Sequence, residues 1–117
     1  MKLKVNAPKI VEEGKHEGVI IAVDFRTDPH EYTDYVIEFE GGKKMKASYP
    51  TELTPVTAHG KMLDRFGVKI EVGEEIETDK LIGRTCTFVT INKVTKNGTF
   101  AECNRDSLKP VTAEIIV

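Results

Sequence analysis

Two glycine-bearing turns constrain this chain more than any other feature. Gly41-Gly42 and Asn97-Gly98 each stand between runs suited to β-strands, and such pairs supply the positive φ angles of a tight hairpin. Before the first turn, Tyr35, Ile37 and Phe39 alternate with Val36, Glu38 and Glu40. After it, Met45, Ala47 and Tyr49 alternate with Lys44, Lys46 and Ser48. A period of two puts one set on a core and leaves Val36, Glu38, Lys44 and Lys46 on the other side. The second turn joins strands over Arg84 to Thr95 and Thr99 to Arg105. A two-residue loop at Asn97-Gly98 sets Lys93 against Glu102, Val94 against Ala101 and Cys103 against Asn92.

A further strand comes first, from His16 to Arg26. Its run Gly18-Val-Ile-Ile-Ala-Val-Asp-Phe is β-branched and aromatic, and continuous apolarity predicts burial on both faces along part of its length. Pro29 and its polar neighbours make residues 27–31 a loop. Between the two hairpins, Thr54-Pro55 reads as a helix start: a capping hydroxyl, then a proline where no N–H is needed. Val56, His59, Leu63 and Phe66 recur at helical spacing, and Gly67 suits the left-handed position past the helix end. Gly60 inside the helix costs about 1 kcal/mol against Ala, which implies close packing against a neighbour. Residues 68–78 are acidic and irregular (Glu71, Glu74, Glu75, Glu77), and a single turn from Asp79 leads to the last hairpin.

Three strands, a helix and two strands is the chain order of the five-stranded Greek-key barrel known as the OB-fold. The expected fold class is therefore mostly β, an OB-type barrel with one α-helix between strands 3 and 4. A chain of 117 residues fits one domain. The expected division is an arm or lead-in over 1–14, the barrel over 15–110 and a tail or extra strand over 111–117. In the tail, Glu114-Ile-Ile-Val has the character of a strand that adds to an exposed edge, in cis or across a homodimer.

Composition narrows the chemistry. The formal net charge is −2, so nucleic-acid affinity, which comes mainly from Lys and Arg at phosphates, requires a local patch. Met1-Lys-Leu-Lys-Val-Asn lacks the apolar core of a leader, and no run is long and apolar enough to span a bilayer,. The expectation is a cytoplasmic protein with no membrane partner and with Cys86 and Cys103 as buried free thiols. His16, His30 and His59 fall on different elements, without Cys or paired carboxylates at ligand spacing. His30 with Glu31 and Asp34 reads as a polar loop, and His59 as a core histidine. Ser48 and Ser107 have no His and acid in a recognisable order. Gly41-Gly-Lys-Lys is followed by a hairpin, not the helix a phosphate loop needs. No catalytic residue, metal site or cofactor is expected.

The segment Leu81-Ile-Gly-Arg-Thr-Cys-Thr-Phe-Val, with Asn97-Gly-Thr-Phe-Ala-Glu-Cys and Leu108-Lys-Pro, resembles the last two strands of small OB-type proteins of bacteriophages and archaeal viruses. Glu13-Gly-Lys-His-Glu-Gly, Ala47-Ser-Tyr-Pro-Thr-Glu-Leu and Gly60-Lys-Met-Leu-Asp-Arg-Phe-Gly are similar to the same group, so the likeness spans residues 13–110. It rests on turn and core residues. Many of these proteins are described as single-stranded DNA-binding or have no assigned role, and the resemblance implies DNA binding in viral replication or recombination. The chain departs from phage members whose acidic tail recruits partners.

Binding a single strand takes cations along a groove and aromatics for stacking. The face away from the core supplies Lys44 and Lys46, with Arg26 at the end of the first strand. Lys93 and Lys96 flank the last turn, and Arg105 follows it. Phe100 and Tyr32 are the stacking candidates, while Phe25, Tyr35, Phe39, Tyr49 and Phe88 are assigned to the core. The expected ligand is single-stranded DNA, or RNA, with little sequence preference. The competing expectation is a non-enzymatic protein–protein adaptor or virion assembly component on the same barrel. Each surface lysine also has a plain account as solubility and edge protection.

Overall fold

The computed structural model describes residues 1–3 and 13–111, the Thr95 side chain excepted. The expected tail strand and most of the arm lie outside them. Five strands form one antiparallel sheet: β1 (Gly14–Arg26), β2 (Tyr32–Phe39), β3 (Lys43–Pro50), β4 (Thr85–Thr95) and β5 (Gly98–Pro110). The helix α1 (Ala58–Arg65) and a 3-10 turn at Thr78–Leu81 fall between β3 and β4. Strand order in the sheet is β3-β2-β1-β4-β5. Among the described residues, no helix is long and apolar enough to cross a membrane.

β1 organises the sheet because it has two neighbours. Gly14 to Val19 pair with β4, and Gly18 to Arg26 pair with β2. At the shared segment, a Cβ on Gly18 would lie 2.6 Å from the Glu38 carbonyl oxygen, so only glycine lets the strands approach this closely. The expected two-faced burial of β1 is not found. From His16 to Ile20 the residues alternate buried and exposed, and Val19 and Ile21 face solvent. Phe25 is likewise 62 % exposed rather than core. The β4 ladder ends at Val19, and Ile20 still bonds Arg84 O and Gly83 N; beyond Ile20 the strand pairs with β2 alone.

Tyr35, Ile37, Phe39, Ala47 and Tyr49 from the first hairpin are buried as expected, together with Ile20 and Phe88. Met62, Leu63 and Phe66 bring the helix onto this core. Gly41 and Gly42 take φ of 76° and 96°. Glu40 joins them at φ 41°, and its carboxylate bonds His16 Nδ1.

Three further expectations need correction. The last hairpin pairs Thr95 with Gly98, so its loop is Lys96-Asn97, and Lys93 faces Phe100 while Cys103 faces Thr90. Gly98 takes its φ of 126° as the first residue of β5, not inside the loop. A shift of two keeps every side chain on its predicted face. The helix begins later than Thr54-Pro55. Thr57 is its cap, accepting from Gly60 N at 3.1 Å, and Thr54 Oγ1 instead accepts from Val56 N in the preceding turn. Val56 is accordingly 77 % exposed. Finally, β5 runs on to Pro110 through a wide bulge. Val89 pairs with Asn104 and Thr87 with Lys109, leaving residues 105–108 opposite Phe88 alone. Ser107 Oγ fills the gap in the ladder, accepting from Val89 N at 2.7 Å.

The bulge turns carbonyls toward the helix. Arg65 Nε donates to Leu108 O at 2.7 Å and Arg65 Nη2 to Arg105 O at 3.3 Å. The sheet's end strands also meet here. Tyr49 Oη donates to Arg105 O at 2.6 Å, and Arg105 Nη1 to Ser48 O at 3.3 Å. These bonds involve side chains; the strand pairing itself ends at β3 and β5.

Candidate functional site

Where β3 and β5 converge, a cleft of about 490 Å³ opens on the outer side of the sheet. Tyr32, Lys46 and Ser48 form one wall, and Ile91, Asn104 and Arg105 the other. Alternation explains the first wall. Tyr32, Asp34, Val36 and Glu38 on β2 pair with Pro50, Ser48, Lys46 and Lys44 on β3, opposite the side that buries Tyr35 and Ile37. The second wall belongs to the β4–β5 hairpin, which beyond Thr90 has no β1 beside it. Ile91 pairs with Glu102 and Lys93 with Phe100, so the period of two sets Lys93 and Phe100 on the same face as the cleft.

The structure thus brings three of the expected residues, Tyr32, Lys46 and Arg105, to one cleft. Arg26 adjoins them: its guanidinium lies over the Tyr32 ring at 5.0 Å from the centroid. Phe100, 53 % exposed, and Lys93 continue the face along the hairpin. Lys44 stands farther along β3, across from Glu38, and Lys96 sits in the hairpin loop.

Asp34, read from the sequence as part of a polar loop with His30 and Glu31, is instead a buried residue of β2. Its side chain is 1 % exposed, and Arg26 holds it through Nε at 2.5 Å and Nη2 at 2.9 Å, a fork-to-fork pair,. Burial works against its charge. The hydrogen bonds from Arg26 and Ser48, with Lys46 nearby, outweigh burial and hold the carboxyl below the ordinary carboxylate range. The Arg26 guanidinium is correspondingly raised, first by its hydrogen bond to Asp34. The available signal was alternation: Asp34 lies between Tyr32 and Val36 on the outer side. Ile91 was missed for the same reason, being read only as part of a strand. Arg105 was placed as a groove cation, yet it is tied to Ser48 O and lies 5.9 Å from the Tyr49 ring centroid.

Other chemistry-bearing side chains are engaged in structure. His59 is buried, its Nδ1–H donating to Thr51 O at 3.4 Å and its Nε2 accepting from Tyr35 Oη at 2.6 Å. Burial lowers its pKa. His16 is buried between Glu40 and Thr90 Oγ1, the latter at 3.0 Å. Cys86 and Cys103 are free, and burial pushes their thiols up to about 11 and about 12, which keeps them protonated. Among the described residues, no three His, Cys, Asp or Glu side chains group closely enough to hold a metal ion. No protein-family model and no curated protein matches the chain.

Proposed function

We propose that this protein binds single-stranded nucleic acid, without catalysis, across the outer face of β2 and β3 and along the β4–β5 hairpin. The observation that carries this reading is the cleft in which Tyr32, Lys46 and Arg105 converge, with exposed Phe100 continuing the same face. Seen this way, the sheet is a barrel of the OB type whose closing strands meet at Tyr49, Ser48 and Arg105. The face of strands 2 and 3, bounded by the loop after strand 1 and the hairpin of strands 4 and 5, is where that barrel takes oligonucleotides. The resemblance to small viral proteins points to DNA replication or recombination as the setting.

The test is an anisotropy titration of labelled oligo-dT of about 16 nucleotides, within the range one such barrel occupies. Binding at low salt is expected, and charge reversal in Lys44→Glu/Lys46→Glu is expected to weaken it about tenfold or more. Absence of binding at low salt overturns the reading. A second reading, a protein–protein adaptor, is favoured by the hairpin itself. It exposes Val94 at 79 % on one side and Phe100 at 53 % on the other, more apolar surface than phosphate contact requires.

A further inference from the structure

Most cations of this face are answered by acids, Lys93, which faces Phe100, being the exception. Arg26 is forked onto Asp34, Lys44 stands across from Glu38 in the strand register, and Lys46 is close enough to Asp34 to lower its pKa. Arg105 is spent on the Ser48 carbonyl and shares its cleft with Glu102 and Asp106. Asp24 adds a further carboxylate across from Asp34. A phosphate approaching this surface meets fields that largely cancel. The aromatic surface is better prepared. Asp34 anchors the guanidinium of Arg26, which lies over the Tyr32 ring at 5.0 Å from the centroid, and so makes a charge-compensated platform. Phe100 offers a second platform on the projecting hairpin.

We propose that a single strand on this face is held chiefly by its bases, stacked on the Arg26–Tyr32 platform and on Phe100, and only secondarily by its phosphates. The inference rests on the function proposed above and specifies its ligand contact. It also makes Asp34 a positioning residue: it holds Arg26 over Tyr32 and removes that arginine from phosphate binding. Because stacking uses π faces that every base has, recognition extends to DNA and RNA alike.

Salt separates the two kinds of contact. For single strands the logarithm of the binding constant falls with that of salt by about 0.7 per phosphate contact. Five unopposed cations (Arg26, Lys44, Lys46, Lys93, Arg105) would give a slope near −3.5 on that scale. With Arg26, Lys46 and Arg105 engaged, Lys44 and Lys93 are left for about two phosphate contacts, a slope near −1.4. The experiment titrates labelled oligo-dT and an abasic oligodeoxynucleotide of equal length between about 50 and about 200 mM salt. Expected are the shallow slope, at least about tenfold weaker binding of the abasic strand, and a loss of similar size in Phe100→Ala with its slope unchanged. Phe100 is exposed, so that variant tests the contact without disturbing the core. In Asp34→Asn the released Arg26 steepens the slope by about one phosphate contact. Abasic and normal strands binding equally, with a slope near −3.5, overturn this inference and leave the proposed function standing. No binding of either strand overturns the proposed function instead.

Discussion

His59 shows how a single residue sets a pH dependence for the whole fold. Thr51 O can only accept, so Nδ1 carries the proton, and the neutral ring then accepts the Tyr35 hydroxyl at Nε2,. The ring also stacks on Tyr49 at 15° between planes. A second proton has to enter this buried contact, which is why burial lowers the folded-state pKa. In the unfolded chain the ring titrates near its ordinary value of about 6.5. Between that value and the lower folded one, the unfolded state binds more protons, so stability declines as pH falls through this window. Asp34, also lowered in the fold, contributes a separate loss at more acid pH, through the carboxylate range. Urea unfolding from pH 7.5 down to about pH 5.5 is expected to show the first decline in the native chain and a flatter profile in His59→Gln. An unchanged decline in that variant assigns the dependence to other groups. As a residue, His59 was legible: a histidine on an apolar helical stripe belongs to the core, and it lies there. Its partners were not legible, because Tyr35 and Thr51 reach it only through the fold of the first hairpin.

At the scale of the element, α1 reverses an ordinary rule. Replacing glycine by alanine inside a helix normally stabilises it by about 1 kcal/mol. At Gly60 the added Cβ would fall 1.8 Å from the Thr54 carbonyl oxygen, and that carbonyl is fixed by Thr57 Oγ1 at 3.0 Å. The turn before the helix and its first turn are thus locked together through Thr57, which also caps Gly60 N. Gly60→Ala is expected to destabilise by roughly 1–3 kcal/mol, the usual cost of overpacking. A thermal or urea midpoint that rises instead overturns this account of the glycine. The sequence carried part of this element. Gly60 announced a close approach, and Gly67, at φ 82°, marks the helix end as expected. The start was misplaced because two threonines compete for the cap, and the Thr54 hydroxyl goes to a turn that ends in Pro55 and Val56. The last hairpin gives the same lesson. Asn97-Gly98 marked a turn, but which two residues fill the loop depends on where the single positive φ falls. The bulge at residues 105–108 left no periodic trace, since it is fixed by contacts from across the chain, Val89 N to Ser107 Oγ and Arg65 to the Leu108 carbonyl.

For the whole molecule, the question is what joins the two ends of the sheet. Pairing through β1, broken only by a register shift at Ile21, holds β2 on one side and β4 on the other. At the seam between β3 and β5, side-chain bonds take over, Tyr49 Oη to Arg105 O and Arg105 Nη1 to Ser48 O. No turn signal or alternation encodes such a seam, which is why element order was readable and the joining of the edges was not. The proposed binding cleft lies on this seam, so its walls are held by the least paired part of the sheet. Tyr49→Phe removes one hydrogen bond while keeping the ring against His59 and Tyr35. The net value of such a bond is about 1 kcal/mol, or about fivefold in a local opening equilibrium. Amides that open with the seam, near Ser48 and in the bulge around Arg105, are therefore expected to exchange hydrogen about fivefold faster in Tyr49→Phe. Amides of the β1–β2 and β1–β4 ladders should keep their protection, because the bond lost is not part of those ladders. Uniform acceleration across the sheet would mean that the seam opens only with global unfolding, and would make the cleft as rigid as the core behind it.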